Sequence, residues 1–317
     1  MLHLLAAFYG TPWALEPGVF ASVEHILLRW AAGTRLGAQE IADAVDGAPE
    51  AAAARATAAR AAGGRGVAVI PVYGVLTHRA YAVANTSRPL TSTEALARDV
   101  RTAAADPDIG TIILDVDSPG GSVFGVQELA DVLHDVRTHS GKHLVAVANN
   151  MAASGGYWIA SQAAELVVTP SGMVGSIGVI VPHQDSSALR ERVGVKTEYI
   201  SAGKYKAEGY TDGPLTDEHR AHLQSQVDAY YSAFTKAVAR GRGAPPSEVR
   251  GPAYGEGRMR LAADAVKNGM ADRVATLDDT IQRYVKRSSM GQMVNQALYP
   301  RQLHASLADR DIQILEA

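Results

Sequence analysis

The sequence contains no cysteine among its 317 residues, which excludes disulfide bonds, thiolate metal sites and a cysteine nucleophile. It also lacks an apolar run of about 18 residues, the length that a membrane-spanning helix requires. The apolar N-terminal residues Met1–Tyr9 lack the basic region that opens a secretion signal. We therefore expect a soluble, cytoplasmic protein without a membrane segment.

Charges of the two signs nearly cancel, with 30 lysines and arginines against 33 aspartates and glutamates and a net charge of −3 at pH 7. This balance excludes the strongly basic face that is typical of nucleic-acid-binding domains. Apolar residues make up 47% of the sequence and charged residues 20%, which is ordinary for a globular protein. A chain of this length predicts one large α/β domain with shorter flanking segments.

A change of composition near residue 65 divides the chain into three predicted parts. Residues 1–65 are predicted to form a helical N-terminal segment, with a helix over 17–32, followed by an alanine-rich linker. Residues 66–287 are predicted to form the main domain. Residues 288–317 are polar and weakly patterned, and we expect them to be a mobile tail.

The main domain alternates apolar runs with amphipathic stretches, which predicts βαβ units around a mainly parallel sheet. The predicted strands cover 67–72, 111–116, 144–148, 166–168, 174–181 and 196–200. The predicted helices cover 93–104, 126–136, 155–164 and the long stretch 216–240. Ligands of such sheets bind at the carboxyl ends of the strands, so residues that directly follow a predicted strand are the first candidates for a site.

Ser154 follows one of these strands in the run Asn149–Trp158 and precedes a predicted helix. A serine at this place can act as a nucleophile if a base lies beside it. Gly155 and Gly156 would let a substrate backbone come close. The more common role of a serine before a helix is to cap it, so Ser154 alone does not establish catalysis.

Gly120 and Gly121 follow another predicted strand, in the turn Asp117–Ser122. Two glycines after a buried strand can present backbone N–H groups to a developing oxyanion, each of which typically stabilises the transition state by about 2.7–4 kcal/mol. An ordinary turn between a strand and a helix can have the same sequence, so this motif alone does not establish an oxyanion site.

Lys206 lies in Ser201–Lys206 and is the candidate base. A free lysine has a pKa near ~10.4, whereas a useful base needs about 7–8, so burial and a hydrogen-bond partner must favour the neutral amine. Ser176 is the candidate partner. Lys204 is the nearby competitor for the role of base.

Four motifs together resemble the signal peptide peptidase A (protease IV) family of serine–lysine peptidases, in the order of that family. They are Asp117–Gly121, Ala152–Tyr157, Gly175–Gly178 and Ala202–Lys206, and the resemblance covers about residues 66–287. It implies the Clp-protease/crotonase-like α/β spiral fold. It also implies Ser154 as nucleophile, Lys206 as general base, Ser176 as the hydroxyl that orients the lysine, and Gly120 and Gly155 as oxyanion donors.

The residues Gly10–Ala14 and Gly178–His183 are similar to the phage-encoded branch of that family. Its members are capsid-assembly (prohead) proteases. The resemblance implies scaffold, portal or capsid proteins as substrates, in the host cytoplasm or the assembling prohead. It also implies a homo-oligomeric ring in which a neighbouring subunit can supply the lysine. Lys204-Tyr205 departs from the Ala-His pair that is frequent in relatives.

Three other interpretations stay open at this point. His183 lies where a Clp-like Ser–His–Asp triad would place its histidine, with Asp185 or Asp212 as the acid. A crotonase-like acyl-CoA enzyme would share the fold without a serine nucleophile. A non-enzymatic assembly scaffold with a vestigial protease core is the third interpretation.

We expect no cofactor and no metal. The sequence contains neither a P-loop nor a dinucleotide-binding fingerprint. Its histidines have no spacing typical of a metal site.

Overall fold

A computed structural model describes residues 8–9, 11–31, 57–59, 66–79 and 91–298. The alanine-rich linker, apart from 57–59, and the last part of the predicted tail, from 299 onward, lie outside the described residues. Among the helices within these ranges, none combines the length and the apolar character needed to cross a membrane.

The described residues form twelve strands and nine α-helices, with a short 3₁₀ helix over Pro252–Tyr254. The strands are β1 Trp13–Leu15, β2 Thr57–Ala59, β3 Gly66–Tyr73, β4 Leu76–Thr77, β5 Thr91–Ser92, β6 Ile109–Ser118, β7 Gly120–Ser122, β8 His143–Ala153, β9 Glu165–Val168, β10 Met173–Gly175, β11 Met259–Leu261 and β12 Arg273–Val274. The helices are α1 Pro17–Ala31, α2 Thr93–Ala105, α3 Val126–His139, α4 Gly155–Ala160, α5 Ser187–Arg192, α6 Asp217–Arg242, α7 Pro246–Val249, α8 Ala262–Lys267 and α9 Leu277–Leu298.

The main sheet is mostly parallel, which confirms the predicted α/β class. Its central strands β3, β6 and β8 pair in parallel, and β8 then pairs in parallel with β9 along its first half and with β10 along its second half. Ile112, Ile113 and Leu114 of β6 are all fully buried, because helices cover both faces of a parallel sheet. The antiparallel partners are β2 and β11.

Helix boundaries follow the capping residues that the sequence offers. Ser92 caps α2 by accepting a hydrogen bond from the N–H of Ala95 at 3.2 Å, and Thr216 caps α6 through the N–H of His219 at 3.2 Å. The long helix α6 ends at Gly243, whose φ of 66° is left-handed, as is typical of a glycine after a helix.

Several elements differ from the prediction. The strand β8 runs to Ala153 rather than ending at residue 148, and α4 ends at Ala160 rather than at residue 164. The run 174–181 forms only the short strand β10, followed by an isolated bridge at Ile180. Residues 196–200 form no strand, and their side chains are exposed, because a strand needs a neighbour to pair with. The helix α9 continues beyond residue 287, so residues 288–298 of the predicted tail have a helical backbone.

A partly buried ion pair fastens the end of α6 to β9 and β12. Arg242 donates to both carboxylate oxygens of Asp272, at 2.8 and 2.9 Å. Asp272 also accepts the N–H of Leu166 at 2.6 Å. Burial raises the pKa of Asp272, but these hydrogen bonds outweigh it, and the net pKa lies below the ordinary value of an aspartate.

Replacing Arg242 by Met is expected to lower the free energy of unfolding at pH 7 by about 2 kcal/mol. This is less than the roughly 3–5 kcal/mol of a fully buried pair, because the side chain of Asp272 keeps 39% of its surface exposed. A lowered pKa stabilises the fold above the unfolded-state pKa of about 3.9, and this stabilisation is lost as the pH falls through the folded-state value.

Chemical denaturation of the native chain and Arg242→Met between pH 3 and 7 measures this effect. The difference in free energy should shrink below about pH 4. The exposed pair of Arg79 and Glu94 supplies a control, since Arg79→Met should cost less than about 1 kcal/mol at any pH. A loss at Arg242 that stays constant with pH would contradict the role given to Asp272.

Candidate active site

Ser154 lies at a sharp turn between the end of β8 and the start of α4. Its φ of 50° and ψ of −119° belong to a conformation that non-glycine residues rarely adopt, at a cost of about 1–3 kcal/mol. The N–H of Ser154 donates to the carbonyl of Gly175 at 2.8 Å, and its own carbonyl accepts the N–H of Trp158 at 2.9 Å. A strained serine between a strand and a helix has the character of a nucleophile elbow.

The side chain of Ser154 makes no capping hydrogen bond with α4. The ordinary role of a serine before a helix therefore does not explain this residue or its backbone strain. Ser154 is only 1% exposed, so its hydroxyl group lies inside the protein rather than on the surface.

Gly120 lies directly against Ser154 and Gly155. It has a φ of +94°, and a Cβ placed on it would lie 2.8 Å from the nitrogen of Gly155 and 3.0 Å from the Cβ of Ser154. Only glycine fits this contact. The N–H of Gly120 donates to the Oγ of Ser118 at 3.2 Å, and that hydroxyl donates to the carbonyl of Gly74 at 2.7 Å, so the Gly120 amide is held inside its own turn.

Gly121 is equally confined, but by a different neighbour. A Cβ on Gly121 would lie 2.0 Å from the carbonyl oxygen of Leu76, so β4 can approach β7 only because this residue is glycine. The turn Gly120-Gly121 thus meets Ser154 on one side and β4 on the other.

Ser176 is brought next to Ser154 by the parallel pairing of β8 and β10, in which Ala153 faces Gly175. It also has a left-handed backbone, with a φ of 54°, and is 6% exposed. Its N–H donates to the carbonyl of Arg258 at 3.2 Å. The two serines therefore follow neighbouring strands at one end of the sheet, as the motif order indicates.

Lys206, unlike the two serines, is exposed in the single chain. Its backbone N–H donates to the carbonyl of Gly203 at 3.1 Å. Within the described residues, no hydrogen bond joins its side chain to Ser154 or Ser176. In this part of one chain, Lys206 thus lacks the hydrogen bond that a general base makes with its nucleophile.

Lys204 is tied to the start of α6. Its ammonium donates to the hydroxyl of Tyr205 at 2.6 Å and to the carboxylate of Glu218 at 3.0 Å. These two hydrogen bonds raise the pKa of Lys204 above its ordinary value. This is the wrong direction for a general base, so the geometry disfavours Lys204 as the catalytic lysine.

Residues 137–290 match the family model of peptidase family S49. This match covers just under half of the chain, and the fold of that family is the predicted Clp-protease/crotonase-like fold. The chain is 33% identical over 292 residues to capsid assembly protease C of Escherichia phage lambda, with 88% of this chain and 64% of the relative covered. It is 30% identical over 216 residues to the head-tail preconnector protein GP5 of Enterobacteria phage P21, with coverages of 68% and 42%.

A cellular protein is also similar to this chain. Protease 4 of Salmonella typhi is 30% identical over 196 residues, which cover 62% of this chain and 31% of the relative. The chain thus spans from about a third to just under two thirds of the length of these relatives. The S49 match includes Ser154, Ser176 and Lys206, whereas the Gly120-Gly121 turn precedes it.

His183 makes no hydrogen bond with either serine in the described part of the chain. Its Nε2 donates to the carbonyl of Gly213 at 3.2 Å. Asp185 accepts the N–H of Ser187 at 2.9 Å. No observation therefore favours the Ser–His–Asp interpretation. Across the described ranges, no group of three or more histidine, aspartate or glutamate side chains is arranged to hold a metal ion.

The sequence prediction missed the strand β1, which lies across the site. Ala14 faces Gly121 in an antiparallel pairing with β7, and a Cβ on Gly120 would lie 2.1 Å from the carbonyl oxygen of Ala14. The only signal in the sequence was the similarity of Gly10–Ala14 to the phage branch, which says nothing of where the segment binds.

Proposed function

We propose that the chain is a serine endopeptidase in which Ser154 is the nucleophile, Lys206 the general base and Ser176 the hydroxyl that orients the lysine. The observation that carries the proposal is the strained backbone of Ser154 beside Gly120, Gly155 and Ser176 at one end of the parallel sheet. A structural serine would not need this strain, whereas a nucleophile gains a fixed attack direction from it.

The proposed reaction begins when the Oγ of Ser154 attacks the scissile carbonyl carbon and its proton passes to the neutral amine of Lys206. Backbone N–H groups of the glycine turn and of Gly155 stabilise the oxyanion. The C–N bond then breaks, and the ammonium returns the proton to the leaving amine. Water hydrolyses the acyl-enzyme by the same proton route, which regenerates the serine.

The exposure of the segment that contains Lys206 supports a catalytic dyad in which Ser154 of one chain meets Lys206 of a neighbouring copy. Val195 and Tyr205, which precede Lys206 in the chain, are more than half exposed, and Ile200 is fully exposed. Exposed apolar side chains in the segment of a charged candidate base are typical of a surface that a partner covers. Burial by a neighbouring subunit would also remove the amine of Lys206 from water, as its proposed role as a base requires.

The proposed substrates are capsid, scaffold or portal proteins, cut while a phage shell matures in the host cytoplasm or the assembling prohead. The support is the similarity to a relative named capsid assembly protease, over 88% of this chain. A homo-oligomeric ring is the proposed working form.

The test compares the native chain with Ser154→Ala for labelling by a small serine-directed phosphonate and for cleavage of a co-expressed capsid protein. The native chain should be labelled at Ser154 and should cleave. The variant should lose labelling and at least about a thousandfold of the activity, because no other group can form the acyl-enzyme. Ser122→Ala, which changes another serine of the same region, should keep both.

The alternatives predict different results in the same assay. A crotonase-like enzyme would not react with the phosphonate, and an assembly scaffold would neither react nor cleave. A Ser–His–Asp peptidase would lose activity on replacement of His183 by Ala and keep it on replacement of Lys206 by Ala.

A further inference from the structure

The strand β1 is inserted between two segments that border Ser154. On one side it pairs antiparallel with β7, Trp13 facing Ser122 and Leu15 facing Gly120. On the other side Trp13 exchanges two backbone hydrogen bonds with Ile180, at 2.9 and 3.0 Å. The first segment carries the glycine turn, and the second follows Ser176 along the chain.

The carbonyl group of Ala14 points to the nucleophile region. Its oxygen lies 2.1 Å from the position of a Cβ built on Gly120, and the Cβ of Ser154 lies 3.0 Å from the same position. The separation between the carbonyl oxygen of Ala14 and the Cβ of Ser154 is therefore no greater than the sum of these two distances. The same oxygen lies 3.3 Å from the position of a Cβ on Gly155.

The side chains of β1 pack against two different hydrophobic clusters. Ala14 is fully buried and packs with the main core, while Trp13 and Leu15 pack with Phe8 and Phe20 of the N-terminal segment. The backbone of Ala14 thus faces the region of Ser154, while its methyl group fills a place in the core. A larger side chain there would meet the core that Ala14 fills.

An extended peptide added between two strand edges is a recurring mode of polypeptide recognition. Without β1, the backbone groups of β7 and Ile180 would be free to pair with such a peptide. With β1 bound, they are already paired, and Ser154 is only 1% exposed. The chain therefore fills, with its own backbone, the position that a polypeptide needs in order to reach the serine.

We propose that Trp13–Leu15 is an intramolecular pseudosubstrate. It binds as a substrate would, with Ala14 next to Ser154, and it must leave before an extended polypeptide with a small residue at that place can bind. This inference rests on the proposed function, because a strand can imitate a substrate only where a substrate is cut.

Two variants of the full chain release the strand in different ways. Trp13→Pro removes the N–H that donates to Ile180, and Ala14→Asp puts a charge into a fully buried place. Trp13→Phe is the matched control, because it loses the indole but keeps both backbone hydrogen bonds. The probe is a peptidyl phosphonate of sequence Thr-Pro-Trp-Ala, which copies residues 11–14.

Two quantities are measured on the native chain and each variant. The first is the rate at which the probe labels Ser154, determined by mass spectrometry. The second is the hydrogen exchange rate of the Ile180 amide, which donates to Trp13 and reports release of the strand independently of activity. We expect both rates to rise at least tenfold in Trp13→Pro and in Ala14→Asp and to stay near native values in Trp13→Phe.

Other outcomes overturn the inference. Labelling of the native chain that is as fast as that of the variants would mean that β1 does not block the site, while the proposed function stands. Exchange at Ile180 that stays slow in both variants would make β1 a permanent part of the sheet. Faster exchange without any labelling would instead remove the proposed function, and the inference with it.

Discussion

A mixture of the Ser154→Ala and Lys206→Ala chains, unfolded and reassembled together, is expected to recover about a quarter of the native activity if neighbours in a ring share each site. Each variant alone should be inactive. The Lys206→Ala chain keeps the serine, the Ser154→Ala chain keeps the lysine, and random assembly places one beside the other in about one interface of four.

This result is expected because Ser154 and Lys206 lie in different surroundings in the single chain. Ser154 is buried at the end of β8, whereas Lys206 is exposed in a segment that carries apolar side chains. A lysine that acts as a general base must be removed from water. A neighbouring subunit that covers this segment would supply the desolvation that the base requires.

Two controls make the mixing experiment decisive. Lys204→Ala should keep most of its activity, since Lys204 bonds to Tyr205 and Glu218 rather than to the site. Native chains mixed with Ser154→Ala chains show that subunits exchange under the same conditions. If exchange occurs and the two inactive variants recover no activity, a dyad shared between copies is wrong.

The sequence allowed prediction of the parts of the fold whose signal is local. The apolar run of β6 predicted a strand that is buried on both faces, and Thr216 predicted the start of α6. The places of Ser154 and Gly120 near each other followed from parallel strands ending at a common edge. Ser176 was expected within the strand 174–181 and instead directly follows β10, which ends at Gly175. Each of these inferences needs only neighbouring residues or a general rule of α/β sheets.

Features that depend on distant partners could not be predicted in this way. The three residues of β1 are too few to show a period, and their partners Ser122 and Ile180 are far away in the chain. Residues 196–200 have the composition of a strand. A strand also needs a neighbouring strand to pair with, and composition alone does not show whether one is present. The left-handed backbone of Ser154 is imposed by the packing around it, since serine itself favours other conformations.

Replacing Gly120 by Ala is expected to lower activity by at least about a hundredfold, the loss typical of a damaged oxyanion site. The added methyl group would lie 3.0 Å from the Cβ of Ser154 and 2.8 Å from the nitrogen of Gly155. Both are parts of the rigid turn at the end of β8 and cannot move without displacing the nucleophile. A φ of +94° is also unfavourable for any residue with a Cβ.

The matched control is Gly178→Ala, because a Cβ at Gly178 meets no atom within 4 Å although the residue lies two positions after Ser176. Activity and phosphonate labelling are measured for both variants, with thermal unfolding to confirm that each is folded. Because the methyl group would also meet the carbonyl of Ala14, Gly120→Ala should release β1 and speed exchange at Ile180. Labelling should nevertheless stay low, since removing the blocking strand does not restore the displaced serine. A folded Gly120→Ala chain with native labelling would show that this glycine has no part in the site.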